Sequence, residues 1–150
     1  MLNTRQVFHL ISYLQYPMMV VAIFYVLKPY FNGFEKIWED YNYALIFMGL
    51  AVTLSTLQDT TKTQNKLSKN IWQNPKKGKM ALFVLGLMAL FFILYGMYGI
   101  YVSTNEVLEQ VSYGIFVMGM GLIGMLKAAM EMYENHRLDK HPPVKTILKY

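Results

Sequence analysis

The residues best equipped for chemistry gather near the end of the chain, where Glu131, Glu134, His136, Asp139 and His141 follow one another closely. Carboxylates and imidazoles bind metals or move protons when a helix stacks them three or four residues apart. Glu131 and Glu134 have that spacing but are both carboxylates, and the two histidines stand five residues apart. The run therefore reads as a solvated helical extension, ended by Pro142-Pro143. An enzyme working at the membrane rim would have to bring His9, from the other end of the chain, to Glu131, Glu134 and His136; this is the least supported of three functional readings. There is no cysteine, which excludes thiolate nucleophiles, disulfide exchange and Cys-ligated zinc or iron–sulfur centres. No metal or cofactor is expected.

A second set of polar groups, Gln15, Thr53, Ser55 and Thr56, lies inside strongly apolar segments. Hydroxyls and amides can line a pore that selects without charge, so these four are the candidate lining of a small oligomeric transporter or channel. What the apolar segments lack is equally informative. Ionisable side chains inside a bilayer mark ion paths, proton relays and substrate sites, and none stands near the middle of a long apolar segment here. Four-span multidrug exporters use an acidic residue in the first span, and none is found between Arg5 and Lys28.

The segments themselves set the fold. Hydrophobic residues make up 55% of the 150 positions and charged residues 15%, against about 45–50% and about 25% in average soluble proteins. The stretches 7–27, 41–58, 80–103 and 108–127 reach or approach the roughly 20 residues a helix needs to cross about 30 Å of hydrocarbon. They predict an all-α integral membrane protein: four transmembrane helices in two antiparallel hairpins, one domain over 1–150. The first stretch is followed by Lys28-Pro29-Tyr30-Phe31 rather than by the small residues of a cleavage site, so it reads as an uncleaved span.

Of the fourteen Lys and Arg, twelve fall before the first stretch, between the second and third, or at the end of the fourth (Lys127) and beyond it; only Lys28 and Lys36 lie in the first connection. The positive-inside rule then places both termini, the basic loop 59–79 and the tail 128–150 in the cytoplasm, with the two acidic connections outside. A multi-pass protein of a bacterial inner (cytoplasmic) membrane is the expected setting. This distribution accounts for the net charge of +5, and no nucleic-acid partner is expected.

Helices in lipid associate through small residues that let backbones approach. Ala89, Gly96 and Gly99 form such a face on the third stretch, and Gly114, Gly121, Gly124 and Ala128 form another on the fourth. The two faces are expected to meet across the short connection, with Gly119 on the opposite side and a weaker face of Ala44, Ala51 and Ser55 on the second stretch. Pro17 predicts a kink in the first. In the basic loop, interrupted by Pro75 and Gly78, Leu67, Ile71 and Trp72 form a short apolar face for the bilayer surface, beside Lys76, Lys77 and Lys79 for anionic lipid headgroups. The leading functional reading is a non-enzymatic accessory or structural subunit of a larger inner-membrane complex, such as an ion-driven motor, energy-transduction or transport assembly. The homo-oligomeric pore stands second.

Overall fold

The computed structural model describes residues 4–58, 60 and 66–140. Lys62, the side chains of Arg5 and Leu67, and the tail from His141 onward, with Pro142-Pro143, lie outside the described residues. Every regular element among the described residues is helical: α1 (Thr4–Ser12), α2 (Gln15–Asn32), α3 (Ile37–Ser55), α4 (Lys66–Gln73), α5 (Pro75–Tyr101) and α6 (Glu106–His136). Among the described residues three stretches are long and apolar enough to cross a membrane: Gln6–Asn32, Pro75–Tyr101 and Glu106–His136. The α3 helix is not among them, because Glu39, Asp40 and Asn42 occupy its first two turns and its apolar run begins only at Ala44.

The helix ends differ from the sequence reading for local reasons. Pro17 lacks an N–H and its ring crowds the carbonyl one turn earlier. The chain responds at Tyr13 and Leu14 by tightening: Tyr13 N–H donates to Leu10 O at 3.2 Å, Leu14 to Ile11 at 3.0 Å and Tyr16 to Tyr13 at 3.1 Å. The first stretch is thereby divided into α1 and α2 one turn upstream of the proline. At its other end α2 passes Leu27 and carries Pro29 inside its last turn. It stops at Gly33, whose φ of 90° is a conformation other residues avoid and whose N–H reaches Pro29 O at 3.0 Å.

The third long helix starts at Pro75, five residues before position 80. Asn74 accepts from the N–H groups of Lys76 and Lys77 at 3.0 and 3.2 Å, and Pro75 opens the helix; this is the favoured start of a helix rather than a loop break. Its neighbour α6 begins at Glu106, capped by Asn105 through Leu108 N–H at 3.1 Å, and runs nine residues beyond 127 to His136. The first part of the expected tail is thus continuous helix.

The helices form an open row in the order α2, α3, α6, α5. The α3 helix packs on α2 and α6, α5 packs on α6, and α4 rests against α5 and α6. Matching levels give the directions. Lys28 meets Asp40 and Tyr25 meets Tyr43 and Phe47, so α2 and α3 are antiparallel. Gly114 lies level with Asn42, Gly121 with Gly49 and Gly124 with Thr56, so α3 and α6 are parallel; Gly99 faces Ser112 while Gly86 faces Leu126, so α5 and α6 are antiparallel. Both acidic connections therefore lie at one end of the row, and α4 with the end of α6 at the other. Little of the outer helices is buried inside the protein: 17% of the apolar window in the first stretch and 11% of that in α5.

Candidate functional site

The polar centre of the row sits where α3 meets its two neighbours. Lys28 Nζ, in the penultimate turn of α2, donates to Asp40 Oδ1 at 2.6 Å, and Asp40 is only 4% exposed. The same ammonium lies 5.4 Å from the centre of the Tyr25 ring, which stacks on Phe47 and tilts against Tyr43. On the other side of α3, Asn42 Oδ1 accepts from the backbone N–H of Gly114 at 2.6 Å. The first two turns of α3 thus carry an ion pair toward α2 and an amide hydrogen bond toward α6.

Sequence reasoning placed Lys28 and Asp40 in an exposed connection and did not single out Asn42. A signal was nevertheless present, because Lys28 and Asp40 each stand six residues from Phe34, the centre of the turn. An α-helical hairpin closing there brings the two levels together. The obscuring feature was Pro29, which reads as the end of a span but is accommodated, fully buried, within α2.

The small residues are distributed differently from the expected pairing. Gly96 and Gly99 do face α6: a Cβ on Gly96 would stand 2.8 Å from Phe116 N, and one on Gly99 would overlap the Ser112 hydroxyl. Ala89 is buried on the same helix. The glycines of α6, however, turn to α3 and not to α5. A Cβ on Gly114 would lie 2.6 Å from Asn42 O, one on Gly121 2.6 Å from Gly49 O, and one on Gly124 3.3 Å from Thr56 Cγ2. It is Gly119 that faces α5, where its Cβ would meet Ile93 at 2.7 Å. Ala128 is half-buried and its neighbour Ala129 is buried. The central helix α6 thus presents glycine to two partners, and the larger flat face goes to α3, whose own Gly49 answers it.

The hydroxyls proposed as pore lining are turned back on their own helix. Thr53 donates to Gly49 O at 2.9 Å, Ser55 to Val52 O at 2.6 Å and Thr56 to Thr53 O at 2.7 Å. Such bonds satisfy a hydroxyl in an apolar setting without a ligand. Gln15 is buried in the first turn of α2, beside Ser12, whose hydroxyl donates to His9 O at 2.7 Å. An open depression of about 420 Å³ lies at the start of α6, lined by Glu106, Glu109, Gln110 and Tyr113.

The C-terminal carboxylates are paired with bases of the same segment. Glu131 meets Lys127 at 3.5 Å, and Glu134 meets Arg137 at 3.0 Å and Lys140 at 2.8 Å. His136 Nδ1 is 2.9 Å from Met132 O. No group of three or more His, Asp or Glu suited to a metal ion occurs among the described residues. Nearby, Tyr133 is buried, its ring in contact with Gly78 and its hydroxyl donating to Pro75 O at 3.3 Å. Leu138 N–H reaches Gln73 O at 3.2 Å. Trp72 is half-buried, and Lys76, Lys77 and Lys79 are exposed.

Long apolar helices, exposed apolar flanks and polar groups satisfied within the row define a helical membrane-embedded protein. Comparisons with protein-family models, with curated proteins and with solved structures find no match to this chain.

Proposed function

We propose that this protein is a non-enzymatic, four-span subunit that helps to build a larger complex of a bacterial inner membrane. The observation that carries the reading is the open row. The polar groups between its helices pair within the chain, while α2 and α5 expose large apolar side chains such as Val20, Phe24, Phe83, Phe91 and Leu94. A body with such flanks, whose described carboxylates lie at the helix ends and not inside the apolar stretches, suits packing against lipid and other helices better than catalysis.

In this reading α3 is the fourth crossing. The residues that lower its apolarity are those its neighbours satisfy: Asp40 by Lys28, and Asn42 by Gly114. A helix flanked on both sides can carry them where a lipid-facing one cannot. The charge distribution orients the row with both termini and α4 in the cytoplasm. In intact cells Asn32→Cys and Asn105→Cys are expected to react with an impermeant thiol reagent, and Lys69→Cys only after permeabilisation. Equal labelling of all three would sink the four-span orientation.

The subunit role is tested by extracting the natively expressed protein in a mild detergent and measuring particle mass and composition. A particle with stoichiometric foreign subunits is expected. An assembly of this chain alone would replace the reading with the oligomeric pore, which the inward-turned hydroxyls of Thr53, Ser55 and Thr56 support less well.

A further inference from the structure

Two populations of basic residues share the α4 end of the row. Those of α6 and its cap are neutralised locally: Lys127 by Glu131, Arg137 by Glu134 and Asp139, and Lys140 by Glu134. By contrast Lys66, Lys69, Lys76, Lys77 and Lys79 are exposed, and none is in an ion pair among the described residues. Among the described residues the uncompensated positive charge of this end is concentrated on α4 and the first two turns of α5.

Its placement works against the fold taken alone. The start of a helix carries a partial positive charge that favours acidic residues, yet α5 has no acid in its first turn and carries Lys76 and Lys77 there. An anion from outside would relieve both charges, and the apolar surface below points to its source. On α5, Lys76, Met80, Phe83 and Leu87 fall within an arc of about 60°, and these three apolar side chains are 71%, 67% and 50% exposed. Lys77 heads a similar stripe with Val84 and Met88. A lysine at the top of a lipid-facing stripe lays its stem along the stripe and its ammonium at headgroup level. An acidic protein surface would match the charge but not the apolar stripes continuing beneath it.

The lysines are also held on a built junction. Tyr133 packs on Gly78 and bonds Pro75 O, Gln73 O accepts from Leu138 N–H, and the Ser68 hydroxyl lies 3.5 Å from Met132 Sδ. From these observations we propose that the α4–α5 junction is a docking surface for anionic phospholipid headgroups, formed by Lys69, Lys76, Lys77 and Lys79 with Trp72 beside them. The proposal rests on the membrane-embedded reading and adds a lipid preference to it.

The test uses the whole chain carrying Trp38→Phe, so that Trp72 alone reports, reconstituted in phosphatidylcholine vesicles. Quenching of Trp72 by brominated phosphatidylglycerol is compared with quenching by brominated phosphatidylcholine at matched fractions. The relative binding constant is expected to favour the anionic lipid by at least several-fold. In the Lys76→Gln/Lys77→Gln/Lys79→Gln variant it should fall toward one, by up to about five-fold per lysine removed. The corresponding triple arginine variant should keep the preference. Strong quenching by both lipids with a ratio near one in the parent would overturn the docking surface while leaving membrane embedding intact; quenching by neither would also overturn the docking surface, by placing Trp72 away from the bilayer, and the embedding itself fails only if alkaline carbonate releases the chain from the vesicles. A preference that survives the triple glutamine variant would also overturn the assignment.

Discussion

Lys28→Met is expected to destabilise the protein far more than Asp40→Asn, although the two substitutions break the same 2.6 Å ion pair. The asymmetry comes from burial. The side chain of Asp40 is 6% exposed and that of Lys28 32%. Removing the lysine leaves a carboxylate enclosed between α2 and α3 without a counter-charge, whereas removing the acid leaves an ammonium that can turn outward and still lies over Tyr25. In detergent, the thermal midpoint of Lys28→Met should drop by roughly 5–10 °C and that of Asp40→Asn by less than half as much. The double variant Lys28→Met/Asp40→Leu should recover most of the loss, because an apolar pair of similar volume needs no desolvation of charge. Equal losses in the two single variants, or a double variant no better than Lys28→Met, would mean that the pair is solvated and does not hold the α2–α3 hairpin.

This pair also marks the limit of what hydropathy and charge convey. The apolar stretches and their approximate extents were legible because lipid demands long uncharged runs, and that demand is written in composition. The division at Tyr13 and Leu14 was legible in kind from Pro17, but its position one turn upstream follows from which carbonyl the ring crowds. Asn42 was illegible as a site residue, and Asp40 was legible only through its symmetry with Lys28 about Phe34, since a polar residue near a predicted boundary looks the same whether it faces water or a neighbouring helix. The glycines carry the same ambiguity: their spacing shows that α6 has flat faces, while the partner of each face depends on the order of helices in the row. Adjacency along the chain favoured α5, but the face formed by Gly114, Gly121 and Gly124 went to α3, which is remote in sequence and parallel in space.

That exchange of partners predicts a graded response along the glycines, measured by unfolding free energy in micelles. Gly114→Ala and Gly121→Ala should each cost about 1–3 kcal/mol, because the new Cβ would press on a backbone oxygen of α3 at 2.6 Å and only a shift of the whole helix relieves it. Gly114 carries an additional penalty, since displacement also stretches its bond to Asn42; Asn42→Ala alone should cost about 0.6 kcal/mol, the average for a polar contact between membrane helices. Gly124→Ala should cost less than either, its nearest neighbour being the Thr56 methyl at 3.3 Å. At Gly86 the added methyl would meet only the end of Leu126 at 3.8 Å, so Gly86→Ala should be neutral or stabilising by up to about 1 kcal/mol through helix propensity. Asn42→Ala combined with Gly114→Ala should lose less than the sum of the two, because they act on one contact. If α6 instead turned its glycine face to α5, Gly114→Ala and Gly121→Ala would be insensitive to changes on α3 and the coupling with Asn42 would vanish. The cycle therefore tests the order of helices in the row as well as the strength of one contact.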